Sequence, residues 1–138
     1  INGGNRKPAV GFMDLPGYGY AKVSASMRKE WQSIIEGYIE NSANLKGFML
    51  LIDSRRGAGE REIQLIDYLL ACARQVCPVL TKSDKLKKSQ LTAIVRETTE
   101  ILKKYDDRVH YPILHSSKKG QGNELIWRWM NERIRNES

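Results

Sequence analysis

No apolar run in this 138-residue sequence approaches the ~20 residues of a membrane-spanning helix, so a helical membrane span is excluded. The opening stretch, Ile1-Asn-Gly-Gly-Asn-Arg-Lys7, is polar and carries no secretory signal pattern. Cysteine is scarce. Cys72 and Cys77 alone build neither a disulfide framework nor a zinc site, and two reduced, part-buried thiols point to the cytoplasm. Proline is scarce too, and no internal repeat or Pro/Ser-rich linker breaks the chain, so a single domain is expected. Acidic side chains are the minority, 16 against 23 Lys and Arg, for a net charge of +7. A basic domain favours polyanionic partners, nucleic acid above all; a plain solvated basic surface explains the charge equally well.

What remains is an apolar share of 41%, enough for one sizeable core, arranged in two alternating periods. Short continuous runs stand at 9–13, 48–52, 76–80 and 111–114. Continuous hydrophobicity predicts strands covered on both faces, as in a parallel sheet. Between them lie helical stripes. Met27, Trp31, Ile34, Ile35, Tyr38 and Ile39 share one face, with Ser24 or Ser26 as the N-cap. Ile63, Ile66, Leu69, Leu70 and Ala73 form the second stripe. The third runs from Leu91 through Thr98 and Leu102 to Tyr105, after Ser89. Ile126, Trp129, Met130 and Ile134 form the fourth, after Asn123, with Trp127 off the stripe. The order β-α-β-α-β-α-β-α predicts a three-layer α/β fold with right-handed crossovers.

Ligands of such sheets bind beyond the carboxyl ends of the strands, so the post-strand residues carry the functional argument. Asp14-Leu15-Pro16-Gly17 has the D-x-x-G pattern: a carboxylate for Mg²⁺, directly or through water, and a glycine whose N–H approaches a terminal phosphate unobstructed. The same four residues also make an ordinary turn. Thr81-Lys82-Ser83-Asp84 closes the third run. An aspartate there accepts from the N1–H and exocyclic amine of guanine, a donor pair adenine lacks. The Lys82 stem lies along the base in this reading, and Thr81 ties loops together where asparagine is usual. A helix-capping aspartate in a charged loop is the competing reading. After the last run, His115-Ser116-Ser117-Lys118 follows. Ser117 N–H is placed to meet the guanine O6, Ser116 to fix the loop, Lys118 to pack on base or sugar, and His115 to contribute through its backbone. Asp14 precedes Thr81 by 67 positions and Asp84 precedes Ser116 by 32, so each motif closes a different strand.

Asp14-Leu-Pro-Gly-Tyr-Gly-Tyr-Ala-Lys-Val23, Thr81-Lys-Ser-Asp-Lys-Leu86 and Ser116-Ser-Lys-Lys-Gly120 together resemble the EngB (YihA/YsxC) family of Ras-like GTP-binding proteins, as does Asp53-Ser-Arg-Arg56. The resemblance covers essentially the whole chain. It implies a Ras-like G domain of the P-loop NTPase type that binds GTP and GDP with Mg²⁺. It also implies a role in assembly of the large ribosomal subunit, through rRNA and ribosomal protein, with an associated part in bacterial cell division and septation. A monomer is expected. Ras-type enzymes place a water-orienting glutamine directly after the D-x-x-G glycine. Here that residue is Tyr18, so intrinsic GTP hydrolysis is expected to be slow and the catalytic residue is unknown. Residues 18–27 are expected to form a switch segment.

The phosphate-cradling pattern G-x-x-x-x-G-K-[S/T] does not occur. Gly17 to Lys22 lacks the spacing, Gly57-Ala-Gly-Glu-Arg-Glu62 puts acids where phosphates sit, and Lys118-Lys-Gly-Gln-Gly122 fails as well. No G-x-G-x-x-G follows a strand, which sets aside a Rossmann oxidoreductase. Family members carry a strand, the phosphate loop, a helix and a further strand ahead of this point. Residues 1–138 are therefore expected to be a single incomplete G domain, the C-terminal part of a longer protein. The alternative is an RNA- or protein-binding module that keeps the fold without the phosphate loop. Arg55 and Arg56 are candidate RNA-phosphate contacts, and Lys82, Lys85, Lys87 and Lys88 a candidate basic rim. His110 and His115 lack the companions a metal site needs.

Overall fold

The computed structural model describes residue 12 and residues 25–135. The run at 9–13, apart from Phe12, the D-x-x-G loop, Tyr18 and Ser24 all lie outside the described residues. The chain divides into two compact units, residues 1–38 and 39–138. Helix α1 spans Ala25–Asn41. Within the second unit follow strand β1 (Phe48–Asp53), helix α2 (Glu60–Ala71), strand β2 (Val76–Thr81), helix α3 (Lys88–Leu102), strand β3 (Ile113–Leu114) and helix α4 (Asn123–Arg135). The strands form a parallel sheet in the order β1-β2-β3.

The register is simple. Phe48 to Asp53 face Val76 to Thr81 one for one, and Val79 and Leu80 face Ile113 and Leu114. Strands β1 and β2 thus end level, with Asp53 beside Thr81, and the functional loops leave the sheet at one height. Five of the six β2 residues are buried, so β2 is the strand covered on both faces. On one face Cys77 and Val79 pack with Ile113, Trp129 and Met130, which docks α4 on the sheet. Trp129 lies so close to Gly47 that a Cβ there would sit 2.5 Å from the indole Cη2. The opposite face carries Val76, Leu80, Leu50 and Ile52, and α2 adds the buried Leu65, Ile66 and Leu69. Each fully buried side chain of this size contributes roughly 1.5–3 kcal/mol relative to exposure.

Several expectations need correction. Strand β1 is not covered on both faces: Leu51 is 64% exposed. Among the described residues β1 is an edge strand, and the α4 cluster reaches Met49 without burying Leu51. The last strand shrinks from 111–114 to two residues, because Pro112 offers no N–H to a ladder. Tyr111 before it is exposed. The N-cap of α3 is Lys87, two residues before Ser89, and the helix begins at Lys88. Lys87 N–H donates to Gln90 Oε1 at 2.9 Å and closes the first turn there. Ala73 is outside α2, in the left-handed region at φ 60°, and Tyr105 is outside α3. Ile34 is exposed while Ile35 and Ile39 are buried, so the α1 stripe is narrower than expected.

One long-range contact closes the end of α1. The Arg74 guanidinium donates to the carbonyls of Ile39, Ser42 and Leu45 at 2.7–3.1 Å. It satisfies acceptors that a helix end leaves open. Among the described residues no helix is long and apolar enough to cross a membrane.

Candidate functional site

Two loops leave the carboxyl end of the sheet side by side. The first follows β2 and the second follows β3, and the ladder continues into both. His115 N–H donates to Leu80 O at 2.8 Å, and Ser83 N–H donates to His115 O at 3.1 Å. The His115 backbone therefore sits between the end of β2 and the short 3-10 turn over Ser83–Lys85.

Side chains lock this arrangement. Ser116, fully buried, donates its Oγ–H to Asp84 Oδ1 at 2.8 Å, and its Oγ accepts from Lys119 N–H at 3.2 Å. Ser83, also buried, donates to Gln121 Oε1 at 2.6 Å. The turn between Ser116 and Gln121 closes through Ser116 N–H to Gln121 O at 3.2 Å. The His115 ring reaches the start of α4 through Nε2 and Asn123 Oδ1, 2.8 Å apart. Two glycines allow the tight return. Gly120 and Gly122 have φ of +70° and +86°, and a Cβ on Gly122 would overlap Leu114 O.

The residue after β1 braces the first loop. Ser54, buried, donates its N–H to Thr81 O at 3.0 Å and its Oγ–H to Lys82 O at 3.2 Å. Thr81 Oγ–H donates back to Ile52 O at 3.3 Å. Lys82 itself is left-handed, φ 58° and ψ 38°. For a residue with a Cβ this costs roughly 1–2 kcal/mol, offset here by the Ser54 and Lys85 bonds to its carbonyl. Such strain held by its surroundings is typical of functional loops. The result places Asp84 at the rim, partly exposed, with the Ser116 hydroxyl bound to one oxygen.

Charge follows the same logic. The Ser116 hydrogen bond holds the Asp84 carboxyl below its ordinary range against an opposing desolvation effect, and Lys85 and Lys118 reinforce it. Asp84 is therefore an anion near neutrality. Each of its oxygens has two lone pairs, so the Ser116 bond leaves both oxygens able to accept from a ligand. A carboxylate presented this way suits a neighbouring pair of N–H donors. Ser117 and Lys118 stand exposed beside it.

The structure thus brings together Thr81, Lys82, Ser83 and Asp84 with His115, Ser116, Ser117 and Lys118. Asp14, Leu15, Pro16 and Gly17 fall outside the described residues. Sequence reasoning missed Ser54, Gln121 and Asn123, whose contacts span 28, 38 and 8 positions; the Asn123 contact alone is near enough in sequence to have signalled itself. Arg55 and Arg56 are not open cations: Arg55 grips Asp53 at 2.8 Å and Arg56 grips Glu62 at 2.7 Å. The Arg55 contact holds the Asp53 carboxyl far below its ordinary range. Glu62 also accepts from Gly59 N–H at 3.0 Å. The Gly57–Glu62 stretch therefore serves the start of α2 with its own carboxylate. Among the described residues no group of three or more His, Cys, Asp or Glu gathers as a metal site.

No protein-family model matches the chain. Among curated sequences it is similar to proteins named "Probable GTP-binding protein EngB". It is 35% identical to that of Cupriavidus taiwanensis over 90% of this chain and 56% of the relative. It is 38% identical to that of Natranaerobius thermophilus over 84% of this chain and 59% of the relative. The chain thus spans less than two thirds of the length of these relatives. A crystal structure of a protein of the same name superposes with a TM-score of 0.67 at 22% identity, covering 90% of this chain and 77% of that one. A bacterial selenocysteine-specific elongation factor superposes with a TM-score of 0.60 at 20% identity, over 75% of this chain and 18% of that one. The fold is that of a Ras-like G domain, with a parallel sheet flanked by helices.

Proposed function

From a chain that shares the sequence pattern and the fold of the EngB GTP-binding proteins over most of its length, we propose a guanine-nucleotide-binding protein. The observation that carries the reading is the Ser116–Asp84 pair, 2.8 Å apart, which joins the two post-strand loops around one partly exposed carboxylate. In this reading Asp84 grips the Watson–Crick edge of guanine and Ser117 N–H meets O6. Lys82 and Lys118 cover the base and sugar, and Thr81, Ser83, His115 and Ser116 hold the loops. The relatives' printed name supports GTP as the ligand.

The finer reading extends this to residues 1–138 as one incomplete G domain. Asp14 to Gly17 face the terminal phosphate and Asp14 holds Mg²⁺ through water. GTP is hydrolysed slowly. The partner is the large ribosomal subunit during its assembly, with a linked part in cell division and septation, and the protein is a cytoplasmic monomer. The net charge of +7 supports an rRNA-rich partner. A second reading, an RNA- or protein-binding module that keeps the fold without the phosphate loop, draws on the same charge.

Titration with fluorescent GDP and fluorescent ADP tests the first reading. GDP binds more tightly, Asp84→Ala removes the preference, and Asp84→Asn moves it toward xanthosine diphosphate, because the amide replaces an acceptor by a donor. Equal binding of the two nucleotides refutes it. Salt-dependent RNA binding with no nucleotide preference marks the second reading.

A further inference from the structure

Asp53 has no part in the guanine-binding scheme above, yet its carboxylate lies 3.5 Å from the Lys82 ammonium. It is a fixed anion. Arg55 holds it through three contacts: backbone N–H to Oδ1 at 2.9 Å, Nε to Oδ1 at 3.1 Å and Nη2 to Oδ2 at 2.8 Å. Its height is set by the ladder, since Asp53 faces Thr81 across β1 and β2. The neighbouring Ser54 binds the Lys82 carbonyl. Asp53, the last residue of β1, and Ser54 just after it thus hold one lysine at both ends, Ser54 by the backbone and Asp53 by the ammonium. The left-handed backbone at Lys82 is part of the same constraint.

A lysine side chain free in solvent samples many rotamers. A lysine held at both ends presents its four-carbon stem as an apolar strip, and a planar base stacks on such a strip with less ordering cost. The geometry points to Asp53 as a positioning residue: it draws the Lys82 stem into a fixed course along the carboxyl edge of the sheet, against the face of a bound purine. This rests on the base-site reading given above, and it adds a residue of β1 to a site otherwise built from the loops after β2 and β3.

Lys82 is exposed at 56% and Asp53 partly exposed at 29%, so the effect is that of a surface ion pair. A two- to five-fold change in affinity corresponds to the roughly 0.4–1 kcal/mol such pairs reach. NMR titration of the protein with GDP and ADP, to millimolar concentration, reads it. Asp53→Asn weakens GDP binding roughly two- to five-fold, and Asp53→Glu recovers most of the loss. In a Lys82→Met background Asp53→Asn weakens binding no further. GDP shifts the Lys82 methylene protons upfield through the purine ring current, and that shift shrinks in Asp53→Asn; loss of a merely structural contact leaves it intact. Thermal melts of each variant separate these effects from unfolding. A GDP preference that survives with Asp53→Asn binding like the parent overturns the positioning role alone. A full Asp53→Asn loss in the Lys82→Met background does the same. Equal binding of GDP and ADP by the parent overturns the base-site reading, and the positioning role falls with it.

Discussion

Gly122→Ala tests whether the second loop is held as tightly as its hydrogen bonds imply. Two costs arise. Gly122 has φ +86°, and forcing a residue with a Cβ into that region costs roughly 1–2 kcal/mol. The new Cβ would also overlap Leu114 O, with Leu114 C at 3.2 Å and Ile113 Cγ2 at 3.3 Å. Those neighbours belong to β3, whose backbone is fixed against β2, so relief means moving a strand. Such overpacking costs typically about 1–3 kcal/mol. The expected loss is about 3 kcal/mol, or on the order of 10 °C in Tm for a domain of this size. Gly120→Ala is the internal control. Its φ is similar at +70°, but the nearest atom to its Cβ is the Asn123 side-chain Nδ2 at 3.7 Å, so only the backbone cost applies, about 1 kcal/mol. Urea unfolding followed by far-ultraviolet circular dichroism measures both. Equal losses for the two variants refute the claim that β3 and the loop are rigidly coupled.

Leu80→Ala, in the strand buried on both faces, lowers unfolding free energy by about 2–5 kcal/mol in the same assay. Iodoacetamide labelling with mass spectrometry modifies Cys72 and spares Cys77 until denaturant is added. Cys77 is fully buried, and burial pushes its thiol up to about 12, with only a small opposing pull from Arg133. The sign of the linked stability follows: the unfolded thiol ionises from about 9 upward while the folded one does not. Raising the pH from 9 toward 12 therefore destabilises the wild type more than Cys77→Ala. Acid acts through Asp53, Asp84 and Asp106, whose carboxyls all lie below the ordinary value of 3.8 when folded. Their contribution is complete well above pH 4 and is lost as pH falls through and below that value, so acid melts show Ser116→Ala with a shallower decline than the parent.

The element order was legible because each run and stripe buries its own apolar face, a local property. Strand β2 is the clearest instance, since covered on both faces it reads as an unbroken apolar run. Strand β1 reads the same way and is not, because Leu51 lies beyond the reach of the α4 cluster, and coverage depends on partners that periodicity does not report. Start and stop points failed for specific reasons: a glutamine carboxamide at the head of α3, a proline ahead of β3, a left-handed alanine after α2. In the candidate site, the loop residues stood out by following apolar runs. Gln121 did not, since it works through a contact across the tertiary fold; Asp53 and Ser54 do follow the run at 48–52, but their contacts with Lys82 on the neighbouring loop are not written in their own stretch. Arg55 and Arg56, the candidate RNA-phosphate contacts, are paired with carboxylates two and six positions away.

The three-carbonyl grip of Arg74 bears on which changes the surface connection after α1 tolerates. Residues 42–47 form an exposed or half-exposed link, the kind of segment where insertions usually accumulate. Here one added residue would carry Ser42 O or Leu45 O out of the plane of a guanidinium anchored beyond α2. Lysine offers a single point charge in place of a planar fork and would serve fewer of the three. Length in this link and arginine at its distant anchor are therefore bound to vary together, a covariation that would surface as a deletion tolerated only alongside a change at position 74.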